Sequence, residues 1–216
     1  MRSIWLRFSA VVKLRWLALT LFVAMSGACG GVDPVLEIGL AAPFEGRYRD
    51  VGYDVVYSAR LVIREVNAAG GVGPYRVELV ALDDFGEPER AWQTAETFLV
   101  DPDVVAVIGH WLPETTATAE RVYEAGGLAH VPAGAEPLGP YPVQGLSDRF
   151  RSDYQAVTPF DEQAGPYAGP AYDGMYLIIE AMRTAWQEHG RINRQTVLEA
   201  LERATVDGVT GPVYKP

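Results

Sequence analysis

Apolar and polar positions switch between two periods along this chain. Val35–Ala42 (VLEIGLAA) is a short apolar run stopped by Pro43, the form of a strand buried on both faces. After a polar loop over 44–50, Val55, Ala59, Val62, Ile63 and Val66 recur at helical spacing, with Arg60, Arg64 and Glu65 between them. Gly70 and Gly71 end that helix, because glycine accepts the left-handed backbone of a helix exit. Residues 76–82 (RVELVAL) alternate as a strand does and stop at Asp83-Asp84. Pro88 suits the first turn of a second helix and Glu89 its positive end; Ala91, Ala95, Phe98 and Leu99 form its apolar face, and Asp101-Pro102 breaks it. Val104–Ile108 (VVAVI) is a β-rich run. A loop over 109–114, a helix over 115–125 with Ala119, Val122 and Tyr123 inward, an exit at Gly126-Gly127 and a strand over 128–131 follow. This alternation predicts an α/β fold, a doubly wound parallel sheet flanked by helices.

The rhythm then breaks. Residues 130–150 read HVPAGAEPLGPYPVQGLSDRF, with Pro132, Pro137, Pro140 and Pro142 where the next helix should start. Beyond them the spacing predicts a short helix over 147–155 and a long one over 170–189, striped by Ala171, Met175, Ile178, Ile179, Met182 and Ala185. A third helix runs over 193–204 with Asn193 as its cap and Val197, Leu198 and Leu201 inward; a turn and short strand over 208–214 close the pattern.

The 216 residues leave room for one domain or two small ones. The first 28 differ in kind: Arg2, Arg7, Lys13 and Arg15 with no acid, the apolar stretch WLALTLFVAM over 16–25, then small residues at 26–28. That is the layout of a secretion signal over 1–28, an uncleaved anchor helix being the alternative. Cys29 is the sole cysteine, so no internal disulfide is open to it. SGAC followed by Gly30-Gly31 resembles the lipobox of bacterial lipoproteins, although Ser26 stands where that motif prefers leucine. Lipidation of Cys29 would tether the protein to the membrane through residues 29–34, on the periplasmic side or at the cell surface; plain cleavage after Ala28 would leave a free thiol. Without the four basic residues of the signal, 14 Lys+Arg stand against 28 Asp+Glu, a net charge of −14. Such a surface repels phosphate backbones, so no nucleic-acid partner is expected.

In an open parallel sheet, ligands bind beyond the carboxyl ends of the strands. The loop around residues 133–135 is small enough for a ligand to reach its backbone, and the amides of Ala133 and Ala135 and of the helix start near Thr115 can hold a carboxylate. Thr115 and Thr116 add hydroxyls; the rival reading of Thr115 is a plain helix cap. Asp83-Asp84 reads as a solvated strand end and helix cap before it reads as a metal site, and His110 as a satisfied structural histidine before a catalytic one. The phosphate-loop, dinucleotide, serine-hydrolase and zinc-protease motifs are missing, so no enzyme, metal or cofactor is expected.

The segments IGLAAPFEG, EVNAAGGV, ELVALDDFGEPERA, VVAVIGH, LAHVPAGAEP, GPYAGPAYDGMYLIIEAM and DGVTGPVY, taken in order, resemble the type I periplasmic binding proteins, in the leucine/isoleucine/valine-binding branch of ABC transporter receptors. The resemblance implies a two-lobed receptor that closes on a small ligand, an amino acid or related amide, and delivers it to an ABC transporter permease. In that family the chain builds most of lobe one, crosses to lobe two and returns to finish lobe one. Here residues 35–138 match the first part and 150–216 the returning part, joined by the Pro-rich connection 139–149 where lobe two is missing. Relatives carry hydroxyl residues where Pro113 and Glu114 stand, and serine or threonine near Ala135. Binding is therefore expected at Thr115, Thr116, Ala133 and Ala135, impaired by the loss of lobe two. The alternatives are a single-lobe structural or regulatory lipoprotein that binds a partner instead of a ligand, and a truncated gene remnant.

Overall fold

The computed structural model describes residues 33–215, so the expected secretion signal over 1–28 and the expected lipidation at Cys29 lie outside the described residues. β1 (Val35–Ala42) sits inside a four-stranded parallel sheet, paired with β2 (Arg76–Asp83) on one side and β3 (Val104–Ile108) on the other; β4 (Ala129–Val131) pairs with β3, giving the order β2-β1-β3-β4. The two central strands are the most apolar, β3 without a break and β1 with Glu37 alone interrupting it, since both their faces and both their edges are covered. β2 is an edge strand, and its residues alternate in exposure as far as Val77.

The sheet separates two cores. On one face, α2 (Pro88–Val100) and α3 (Pro113–Gly126) pack Ala91, Ala95, Phe98, Ala119 and Tyr123 against Ala41, Val104 and Val107. Phe98 lies so close that a Cβ at Gly39 would stand 2.8 Å from its ring, which is why that strand position holds no side chain. The opposite, larger core takes Ile38, Leu40, Ala106 and Ile108 from the sheet. It is closed by α1 (Arg49–Ala68), α4 (Asp148–Gln155), α5 (Ala168–His189) and α6 (Arg194–Leu201). A short antiparallel pair, β5 (Thr205–Asp207) and β6 (Pro212–Tyr214), lies at the end.

Boundaries differ from the sequence reading in physically simple ways. α3 starts at Pro113 rather than Thr115, with proline in the first turn where its missing amide is harmless. α5 starts at Ala168, α6 ends at Leu201, and β5 is a strand that the pattern did not announce. Asn193 caps α6 as expected, accepting from the Thr196 amide in a reciprocal capping box.

The segments before and after the Pro-rich connection form one body. Ser58 on α1 donates to the Ala168 carbonyl at 2.7 Å, and Glu65 accepts both the Tyr172 and Tyr176 hydroxyls at 2.8 Å. Asp54 accepts the amides of Gly165 and Tyr167 at 3.1 and 3.2 Å. Arg194 donates to the carbonyls of Val104, Leu99, Phe98 and Asp101, tying α6 to the end of α2 and the start of β3. Asp173 on α5 is fully buried and accepts from the Val209 and Thr210 amides at 2.7 and 2.8 Å and from the Thr210 hydroxyl, so the AYD and DGVTG motifs are two halves of one clamp. The connection itself is seated by Leu138 and Leu146, both buried, and by the Tyr141 amide bonded to the Pro166 carbonyl at 2.8 Å.

Candidate functional site

All four strands point their carboxyl ends the same way, and the loops leaving them pack together there. A Cβ on Gly86, after β2, would stand 2.9 Å from Leu112 and 3.0 Å from Tyr48, which belong to the loops after β3 and β1. Asp83 and Asp84 organise this end. Asp83 accepts the amides of Phe44 and Phe85 at 2.9 and 2.8 Å. Asp84 accepts the Gly86 amide at 2.8 Å and faces His110 Nδ1 at 2.6 Å. The expectation of a solvated pair is therefore corrected: successive residues turn opposite ways, and Asp84 is fully buried. Glu87, not either aspartate, stands at the N-cap of α2.

His110 is fully buried, with Nε2 3.1 Å from the Tyr123 hydroxyl. Where Nδ1 donates to Asp84, Nε2 accepts from the Tyr123 hydroxyl. Burial, with the Asp84 charge adding to it, pushes the Tyr123 hydroxyl far above its ordinary range. The neighbouring His130 bonds the Gly109 carbonyl through Nε2, and burial lowers its pKa to about 3. These rings lie under the strand ends as packed, hydrogen-bonded supports, and among the described residues no serine or cysteine nucleophile touches them.

A cavity of about 220 Å³ opens between the loop after β4 and the outer side of α3. Trp111, Pro113, Thr116 and Ala117 form one wall, and residues 132–136 the other. Three of the four expected site residues, Thr116, Ala133 and Ala135, line it; Thr115 does not. Because α3 begins two residues early, Thr115 falls on the inward side of the first turn, fully buried, with its hydroxyl donating to the Leu112 carbonyl at 2.9 Å. The donor role expected of Thr115 is thus corrected to a local tie at the helix start. Thr116 spends its proton on the His110 carbonyl at 2.9 Å and offers the cavity only oxygen lone pairs.

The amides follow the same logic. That of Ala133 goes to the His110 carbonyl at 3.3 Å and that of Gly134 to the Leu138 carbonyl at 3.1 Å. Among the described residues, the Ala135 amide has no such acceptor. Gly134 adopts φ +86°, and a Cβ there would stand 2.2 Å from the Trp111 carbonyl, so this glycine lets the two walls meet. The cavity has no basic side chain, and the carboxylates of Glu120 and Glu136 share its lining. It offers an apolar surface with acceptors nearby, and among the described residues the amides of Trp111, Ala135 and Glu136 in its lining have no backbone acceptor.

Several residues that hold the fold together had no signal in the pattern. Asp54, Asp173 and Arg194 act on partners far away in sequence. Burial raises the Asp54 pKa from 3.8 to about 6, against the two amides that lower it, and burial raises that of Asp173 in the same way.

Comparison with known proteins agrees with this architecture. Residues 35–144 match the family described as periplasmic binding protein. An amino acid binding protein of Pseudomonas aeruginosa is 32% identical over 149 residues, 68% of this chain and 37% of that one. The Leu/Ile/Val-binding protein homolog 1 of Brucella abortus is 32% identical over 133 residues, 61% of this chain and 34% of that one. This chain therefore matches about a third of the length of these curated relatives. Among solved structures, the branched-chain amino acid transporter substrate binding protein LivJ of Streptococcus pneumoniae, in complex with isoleucine, aligns with a TM-score of 0.67 at 14% identity, over 83% of this chain and 91% of that one. The leucine binding protein LivK of Thermotoga maritima aligns at 0.63 and 11% identity, over the same shares. At those identities the structures attest the fold. The sequence match runs from β1 into the Pro-rich connection, ending at residue 144, and the chain belongs to the periplasmic binding protein family.

Proposed function

We propose that this chain is an extracytoplasmic solute-binding protein reduced to one lobe, lipid-anchored through Cys29 and without catalytic activity. Its ligand is a small amino acid or amide, met at the strand ends by Thr116, Ala133 and Ala135, and its partner is an ABC transporter permease. The observation that carries this reading is the cavity between the loops after β3 and β4, placed where an open parallel sheet receives ligands in a chain of this family. The names of its relatives supply the ligand class. Residues 139–149 are the place where lobe two is missing, so the ligand rests against one wall and stays half-open to water.

Loss of the closing lobe predicts weak binding, with a Kd on the order of 1 mM, corresponding to about −4 kcal/mol. The apolar walls and the carboxylates of Glu120 and Glu136 favour uncharged amides and apolar amino acids over acidic ones. Isothermal titration calorimetry against a panel of amino acids and their amides tests this. Ala135→Trp, which fills the cavity, should abolish the heat while leaving thermal unfolding unchanged. A silent panel up to about 20 mM, or full binding by Ala135→Trp, rejects the assignment of this cavity.

A further inference from the structure

A second cavity, about 400 Å³, opens between the first turns of α1, the end of α4 and the turn over 158–163. It shares no residue with the cavity at the strand ends. Three tyrosines build its wall: the Tyr53 and Tyr57 rings lie 6.2 Å apart, and Tyr154 meets Tyr57 edge-on at 6.2 Å. Tyr57 and Tyr154 are buried and fixed, whereas Tyr53 is 42% exposed and Phe160, across the opening, 82% exposed. Two large aromatic rings thus stand open to solvent at one mouth.

Carboxylates complete the lining. Asp54 is held by the Gly165 and Tyr167 amides, which take one lone pair on each oxygen and leave the others. Glu162 lies beside Tyr57. The cation in the wall, Arg49, stands 3.8 Å from Asp50, and neither Asp54 nor Glu162 has an ion-pair partner among the described residues. Arg60, which does not line the cavity, places its guanidinium 5.7 Å from the Tyr57 ring, so that ring already attracts one cation.

We propose that this cavity binds a small organic ammonium ion, seated against the exposed rings of Tyr53 and Phe160, with buried Tyr57 behind them, and neutralised by Asp54 and Glu162. The charge pattern selects among occupants. An anion meets two unpaired carboxylates; a neutral apolar molecule would strip water from them without compensation. An inorganic cation must give up tightly held water for ring faces, whereas an alkylammonium is weakly hydrated and matches both rings and carboxylates. The volume suits a molecule the size of choline.

Choline and its neutral carbon isostere 3,3-dimethyl-1-butanol are the probes, titrated calorimetrically into the full chain at constant ionic strength and pH 7.5. The expected result is saturable binding of choline and none of the isostere. Tyr53→Ala and Glu162→Gln, both at the rim, should each weaken choline about fivefold, and Ala135→Trp should leave it unchanged, which separates this site from the one at the strand ends. Unfolding curves matching the parent confirm that the two rim variants are folded. The proposal is overturned by choline failing to saturate at about 20 mM, by equal binding of the isostere, or by rim variants that bind as the parent does.

Discussion

Arg194 is the residue whose loss should be felt furthest from its own position. Its guanidinium donates to four carbonyls: Val104 at 2.9 Å, Phe98 at 3.0 Å, Leu99 at 3.1 Å, and Asp101. Phe98 and Leu99 lie in the last turn of α2, where carbonyls have no intrahelical partner and the helix dipole is negative. One planar fork thus caps α2, fastens the turn into β3 and holds α6 across the sheet. Hydrogen bonds to a charged group contribute about 1.5–3 kcal/mol each when buried. Arg194 is half-buried, and water can replace part of what is lost, so about 1 kcal/mol per bond is the working figure. Arg194→Met should then destabilise by about 4 kcal/mol. Arg194→Lys should recover less than half of that, because a single ammonium cannot span acceptors spread around a fork. Urea unfolding followed by circular dichroism measures both; the thermal midpoint should fall by roughly 10 °C for the methionine variant, at about 2–4 °C per kcal/mol in a chain of this size. A methionine variant within about 1 kcal/mol of the parent, or a lysine variant equal to it, would refute the reasoning.

Two further perturbations probe the site's foundations. Gly109 has φ +125°, and a Cβ there would stand 2.2 Å from the Ala41 carbonyl, so Gly109→Ala should cost more than about 3 kcal/mol in chemical unfolding; at Gly174 the nearest atom is the terminal Ile108 Cδ1, at 2.6 Å, and Gly174→Ala should cost only about 1–3 kcal/mol, an order that the reverse result would break. Asp54 binds its proton more tightly in the folded protein, with its pKa raised from 3.8 to about 6, so its charged form is destabilising above that range and the penalty fades as pH falls through 6 toward 4. Relative to Asp54→Asn, the parent should gain about 1 kcal/mol between pH 7 and pH 4, after allowance for solvent at its exposed edge; a difference that stays flat with pH counts against the assignment.

The strands and helices were legible because their burial is local in its periodicity: β3 shows as an unbroken apolar run, β1 as one interrupted only by Glu37, and α1 and α5 as stripes. The loops after β3 and β4 were legible as neighbours for the same reason, since parallel strands place them together. Thr115 was misplaced by a boundary. Pro113 is as clear a first-turn residue as Pro88, and starting the helix there turns the Thr115 side chain inward. Asp84 was hidden by its neighbour, because composition shows two acids while the backbone sends them to opposite environments. Asp54, Asp173 and Arg194 left no local trace at all, as their acceptors and donors lie 36 to 113 residues away. Pattern reports which way a face points, and says little about long-range polar bonds that lock one face to another.

The seating of Leu138 and Leu146 has a consequence for how such a chain changes over evolutionary time. Both are plugs in the hydrophobic interior, and the stretch between them rests Tyr141 and Val143 against it while Pro140, Pro142, Gln144 and Gly145 face solvent. A module inserted into that stretch would leave the plugs in place, and the helices beyond would still find their clamps. The body is thus a socket whose folding information lies on either side of that stretch.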